Sequence, residues 1–189
     1  MLSRSLLTLA ILTLTLAACD REAPDTAQQQ GALDGDKAGL AGEIDRSRAG
    51  ELMPALTVTD PDGKQLNLGA LQGQPVLLNL WATWCAPCIK EMPMLDELAG
   101  EYDGALRVVT VSQDKRGRED EVRAFFERGS FNMLEPWLDP ENTLDAAISD
   151  GVLPATVLYD ASGQEVWRVV GEYDWSSAAA REALSEAVE

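Results

Sequence analysis

The sequence predicts an α/β domain built on a central mixed β-sheet with helices on its flanks. Three observations predict it. Two nearly continuous apolar runs, VLLNLW over Val76–Trp81 and LRVVTVS within Ala105–Ser112, read as strands buried on both faces. A helical stretch from about Cys85 to Gly100 lies between them, as a strand–helix–strand crossover requires. Two more strands, Ala155–Tyr159 and Glu165–Val170, flank the turn Asp160-Ala161-Ser162-Gly163 and should close as an antiparallel hairpin.

The other elements follow in order. Leu56–Thr59 alternates like a strand, Asp60-Pro61-Asp62-Gly63 is a turn, and Lys64–Leu68 returns, giving a hairpin ahead of the first core strand. Pro75 opens the VLLNLW run. Arg118–Arg128 is amphipathic, with Val122, Phe125 and Phe126 on one side. A loop-rich segment over Phe131–Leu138 holds a short strand, and Asn142–Ile148 a short helix. Ser176–Val188, rich in Ala and Glu, closes the domain as a helix.

The 189 residues, 46% of them hydrophobic, suffice for one compact domain with appendages. We divide the chain into a leader over 1–18, a tether over 19–50 and the folded domain over 51–189. The tether is rich in Ala, Gly, Gln and Asp, carries the tract Gln28-Gln29-Gln30, and has few apolar residues with which to offset ordering. Within it, the stretch near Leu40–Arg48 can form a short helix. Fifteen basic residues against 32 acidic ones leave a net charge of -17, which argues against nucleic acid as a partner.

Leu6–Ala18 is an unbroken apolar and hydroxyl run behind the single cation Arg4. As a helix it would reach about 20 Å, short of the roughly 30 Å hydrocarbon core but of signal-peptide length. Its end, Leu16-Ala17-Ala18-Cys19, resembles the bacterial lipobox. That resemblance implies cleavage before Cys19, a diacylglycerol thioether on its sulfur and an acylated amino terminus, and several acyl chains hold a protein stably on a membrane. Asp20 resembles the signal that retains such lipoproteins on the inner membrane. The expected location is the cell envelope, on the periplasmic side.

Cys19, Cys85 and Cys88 are the only cysteines, too few for a disulfide scaffold. In Trp84-Cys85-Ala86-Pro87-Cys88 the two sulfurs straddle the junction of a buried strand and a helix. Cysteines at this spacing can close a small disulfide or open to a dithiol. A helix N-terminus favours thiolate over thiol at the first cysteine, and thiolate is the species that exchanges. Pro87 suits the first helical turn. A zinc site wants four Cys or His ligands; the chain has no histidine and no second cysteine pair, so no metal is expected.

The block Asn79-Leu80-Trp81-Ala82-Thr83-Trp84-Cys85-Ala86-Pro87-Cys88-Ile89-Lys90-Glu91-Met92-Pro93 resembles the active-site block of the TlpA/ResA branch of thioredoxin-like proteins. The likeness extends in order through most of Met53–Val188, including the early hairpin and an inserted segment before the last one. It implies a thioredoxin-like fold and thiol–disulfide exchange with Cys85 attacking and Cys88 resolving. Glu91 resembles the acidic residue that ResA-type proteins set beside the cysteines, where it could relay protons and tune both thiols. Pro93 falls mid-helix and should kink it. Gly151-Val152-Leu153-Pro154-Ala155-Thr156 resembles the loop carrying the fold's cis-proline, which implies that Pro154 is cis and that Leu153 lines a substrate groove with Trp84, Ala86 and Pro87.

Two departures matter. Thioredoxin has a buried aspartate where this chain has Asn79, which leaves Glu91 as the substitute for proton handling. Strong oxidants of this fold often carry histidine between the cysteines, and this chain has none, which favours a reductant. The activity that the resemblance implies is reduction of disulfides in exported proteins, apocytochrome c among them, by a monomer that draws electrons from a membrane thiol donor. No cofactor beyond the Cys85–Cys88 disulfide is expected. Trp81 is expected beneath the site, and Trp137, Trp167 and Trp175 in packing. A Cu(I)-delivery module using both thiolates is the alternative. A thiol peroxidase fits less well, because Thr83 lies two residues before Cys85 rather than three and no arginine stands near it in the sequence.

Overall fold

A computed structural model describes residues 42–188. The leader, Cys19 and the tether up to residue 41 lie outside the described residues. The strands are β1 (Ile44–Asp45), β2 (Thr57–Thr59), β3 (Gln65–Asn67), β4 (Val76–Trp81), β5 (Arg107–Ser112), β6 (Trp137–Leu138), β7 (Ala155–Tyr159) and β8 (Glu165–Val170). The helices are α1 (Ala86–Glu101), α2 (Glu119–Gly129), α3 (Thr143–Ile148) and α4 (Ala178–Val188), with a 3₁₀ turn at Leu68–Ala70. Among the described residues one mixed sheet holds these strands in the order β1-β8-β7-β4-β5-β6-β2-β3. β4 runs parallel to β5 and antiparallel to β7, and β7 and β8 form the expected hairpin.

Every residue of β4 is buried, because the sheet is covered on both sides and side chains alternate between them. Leu77 and Trp81 join a cluster with Met92, Leu95 and Leu98 of α1 and Ala180 and Leu184 of α4. Val76, Leu78 and Leu80 join the opposite cluster, with Leu68 of the 3₁₀ turn and Leu144 and Ile148 of α3. Trp81 is covered by α2, its ring centroid 4.8 Å from that of Phe125 and 5.9 Å from that of Phe126. Trp137, Trp167 and Trp175 are all buried, as packing residues should be.

Helix α1 buries Cys88, Glu91, Met92, Leu95, Leu98 and Ala99, the three-and-four spacing of one helical face. Pro93 is exposed on the other side of the same helix, where its missing N–H costs only the Ile89 carbonyl a partner. The chain leaves the helix at Tyr102, whose N–H still reaches the Leu98 carbonyl, and turns through Gly104 at φ +80.

The amino-terminal boundary needs correcting. Residues 42–45 run antiparallel to β8 and residues 50–53 pair with its start and the turn before it, the two joined by a turn over 47–50, instead of forming tether or helix. Ile44 pairs with Val169, and Gly42, Gly50 and Met53 donate to the carbonyls of Glu172, Glu165 and Gly163 at 2.7, 2.8 and 2.9 Å. These bonds come from main chain, so they need no apolar pattern, and they close an edge of β8 that would otherwise be unpaired. Gly42 fits because a Cβ there would lie 2.3 Å from Val169 Cγ1. The folded domain therefore begins by residue 42, not 51.

Candidate active site

Cys85 caps α1 and Cys88 lies within its first turn. They are joined as a disulfide, with their Cα atoms 5.3 Å apart. The position follows from the strand before it: β4 ends at Trp81, Cys85 N–H bonds back to the Ala82 carbonyl at 3.1 Å, and Pro87 starts the helix without losing an intrahelical bond. The Cys88 N–H points at Cys85 Sγ, 3.3 Å away. The first sulfur thus receives a backbone donor and the positive end of the helix dipole. Cys85 keeps 5% of its surface exposed and Cys88 1%.

Around the pair lies an apolar rim. Trp84 is 63% exposed, Ala86 is exposed, Pro87 is half-buried, and Ile89 opens onto a groove shared with Pro93, Phe125, Arg128 and Phe131. The Leu153–Pro154 peptide is cis, as the resemblance implied. Register places it well: Leu80 pairs with Ala155, so Pro154 faces the end of β4 from which the cysteine loop departs. Leu153 is half-buried and packs on the cluster that contains both cysteines. The Pro154 carbonyl is already taken by the Gly171 N–H at 2.8 Å. Among the described residues neither the N–H nor the carbonyl of Leu153 has a backbone partner.

Glu91 is 1% exposed, one turn below Cys88. Its Oε1 accepts the Tyr173 N–H at 2.7 Å, whereas Oε2 has no partner among the described residues. Burial pushes the carboxyl from its ordinary 4.5 up to about 7; the Tyr173 N–H and the Trp175 indole pull it down, and the charge of Glu172 adds to the rise. The indole stands near enough to favour the anion, yet Trp175 Nε1 completes no hydrogen bond of normal geometry among the described residues. A half-satisfied carboxyl that titrates near neutrality can accept or release a proton one turn from a reacting sulfur.

Asn79 sits mid-strand on the cysteine face of β4, between Leu77 and Trp81, and donates from Nδ2 to Thr156 Oγ1 at 2.9 Å. As an amide it holds no titratable proton. Sequence reading missed three groups that support the site. Tyr173 and Trp175 come from the loop after β8, and Asp114, just past β5, grips Thr83. Nothing local signals the first, because Tyr173 acts through its backbone N–H, and Trp175 reads as a packing residue, which it also is, stacked on Trp167 at 6.3 Å. The fold also brings Arg118 to Asp114, so an arginine is present near Thr83 after all. Among the described residues no three Cys, Asp or Glu side chains gather closely enough to hold a metal ion.

Comparison with known proteins agrees with this geometry. The profile of the AhpC/TSA family matches residues 49–174. The thiol-disulfide oxidoreductase ResA of Bacillus cereus (strain ZK / E33L) is 32% identical over 136 residues, covering 71% of this chain and 76% of that protein. The thioredoxin-like protein YneN of Bacillus subtilis is 33% identical over 115 residues, 60% of this chain and 66% of its own length. Among solved structures, the exposed lipoprotein thioredoxin Etrx1 of Streptococcus pneumoniae superposes with a TM-score of 0.61 at 25% identity, covering 69% of this chain and 98% of that one. A DsbE-type thiol:disulfide interchange protein of Chlorobium tepidum shares the fold with a TM-score of 0.66 at 21% identity, over 75% of this chain and 98% of its own.

Proposed function

The chain belongs to the AhpC/TSA family, as one of its thioredoxin-like thiol–disulfide oxidoreductases of the ResA type, and from that premise we propose that it reduces disulfides of exported proteins through Cys85 and Cys88. The observation that supports this reading best is the placement of Cys85 Sγ at the amino end of α1, with the Cys88 N–H 3.3 Å from it and an exposed Trp84 beside it.

In the proposed cycle the Cys85 thiolate attacks one sulfur of the substrate disulfide. A mixed disulfide forms, and the other substrate sulfur leaves as a thiolate that takes up a proton. Cys88, deprotonated with Glu91 as acceptor, then attacks Cys85 Sγ; the mixed disulfide breaks, the second substrate sulfur leaves as a thiolate that takes up a proton in turn, and the substrate departs as a dithiol. Two electrons and two protons have passed to the substrate, and the Cys85–Cys88 disulfide remains as the sole redox group, with no metal or added cofactor. A membrane thiol donor would restore the dithiol by the reverse exchange. Lipidation at Cys19 would hold the domain at the envelope membrane, on the periplasmic side, where exported substrates such as apocytochrome c pass. A monomer suffices, since both cysteines, Glu91 and Leu153 come from one chain.

Thiol peroxidase chemistry is disfavoured by the hydrogen bonds of Thr83. Its hydroxyl donates to Asp114 Oδ1 at 2.8 Å and is committed there instead of to a bound peroxide. The test is turnover by the dithreitol-reduced protein with insulin and with hydrogen peroxide as alternative acceptors. Insulin disulfides should be reduced well above the rate of dithreitol alone, with peroxide consumed no faster than by free thiols. Peroxide turnover exceeding insulin reduction would reverse the assignment.

A further inference from the structure

Between the end of β4 and the start of α1 the chain has to turn, and little in the loop itself fixes that turn. Trp84 is exposed, and Cys85 N–H holds only the Ala82 carbonyl. The fixing comes from Asp114. Its side chain is 1% exposed, and it accepts both donors of Thr83: the backbone N–H at Oδ2 and the hydroxyl at Oδ1, each at 2.8 Å. Ser112 Oγ donates to Oδ2 at 2.8 Å and in turn accepts the Asp114 N–H at 3.0 Å, so the carboxylate cannot swing away. The Gln113 N–H, bonded to the Trp81 carbonyl at 2.8 Å, ties the same segment to the end of β4. Arg118 Nε lies 3.3 Å from Oδ1 and compensates the buried charge, while its other end meets Glu121 on α2.

We propose that Asp114 is a positioning residue for the exchange reaction: by holding Thr83 through both of its donors it keeps the Cys85 sulfur in the cap of α1, where the Cys88 N–H can reach it. The proposal rests on the reading of Cys85 as the attacking sulfur. A loop released from Asp114 would let the sulfur leave the cap for part of the time, and the helix would then favour its thiolate less. Position and charge act in opposite directions here. Removing a negative charge near Cys85 would by itself ease ionisation, whereas loosening the cap makes ionisation harder.

The test is the pH dependence of iodoacetamide alkylation of the reduced, full-length protein, read at Cys85 by mass spectrometry. Asp114→Asn should raise the midpoint by about half a unit to one unit towards an ordinary thiol. Thr83→Val should raise it by less, because the backbone donor remains, and Thr83→Ser, which restores the hydroxyl, should bring it back. An Asp114→Asn midpoint that falls shows the carboxylate acting as a charge, and one that stays put while the melting temperature drops shows a structural role alone; either overturns the proposal. If Asp114→Asn fails to fold, the Thr83 pair decides, and equal midpoints for Val and Ser overturn it. A wild-type midpoint at the ordinary thiol value sinks the reading of Cys85 itself, whereas an activated wild-type sulfur that is indifferent to Asp114 sinks only the positioning role.

Discussion

Replacing Cys88 with serine is expected to stop the reaction at a covalent complex. The Cys85 thiolate of that variant can still attack a substrate disulfide, but no second sulfur stands one turn away to attack Cys85 Sγ. In the wild-type chain that step is intramolecular, with the two Cα atoms 5.3 Å apart, so the resolving sulfur acts at very high effective concentration. In the variant, release depends on external thiol. Incubation with oxidised substrate should therefore accumulate a mixed disulfide that survives non-reducing electrophoresis and disappears with dithreitol. Cys85→Ser should instead form no complex and reduce insulin no faster than dithreitol alone. Complex formation by Cys85→Ser but not by Cys88→Ser would invert the two roles.

The second large effect concerns Glu91 in the oxidised protein. The folded chain holds its carboxyl proton up to about pH 7, whereas the unfolded chain releases it near 4.5. Between those values the folded state binds more protons than the unfolded state, so this group's contribution to stability falls as pH rises through the interval and is flat above it. At pH 8 both states are ionised and the whole cost of burying the anion is present, on the order of 3 kcal/mol. Glu91→Gln keeps an acceptor for the Tyr173 N–H and removes the charge. Urea unfolding should find the variant close to wild type at pH 4.5 and more stable at pH 8, by up to about 3 kcal/mol. A stability difference that does not change with pH would mean that Glu91 titrates normally. Because Glu91 is proposed to accept the Cys88 proton, the same variant should release its mixed disulfide more slowly near neutral pH, a loss of function accompanying a gain in stability.

Much of this arrangement was legible in the residues. The run Val76–Trp81 matches β4 residue for residue, because a strand covered on both faces must be apolar at nearly every position. Asn79, the polar exception, marks the side of the sheet that faces the cysteines. The helix start was legible from Pro87 and the cysteine spacing, and the cis peptide at Pro154 from the resemblance of its loop. Legibility ended where main chain or distant side chains do the work. Strand β1 is polar apart from Ile44 and exists because β8 offers an open edge, which no local pattern in Gly42–Gly50 announces. The grip of Tyr173 on Glu91 joins residues far apart in the chain through a backbone donor. Asp114 follows a buried strand in a polar stretch, Gln113-Asp114-Lys115-Arg116, that carries no local signal, yet its carboxylate is buried beside the nucleophile's loop.

The proposed exchange depends most on Cys85 being an anion at a pH where free cysteine is not. The direct measurement is the rate of iodoacetamide labelling of the fully reduced wild-type chain from pH 5 to 10, with each cysteine followed separately. We expect Cys85 to label first, with a midpoint at or below about 7.5, at least a unit under the ordinary thiol value near 8.5. A midpoint at 8.5 or above, or label reaching Cys88 before Cys85, would contradict it.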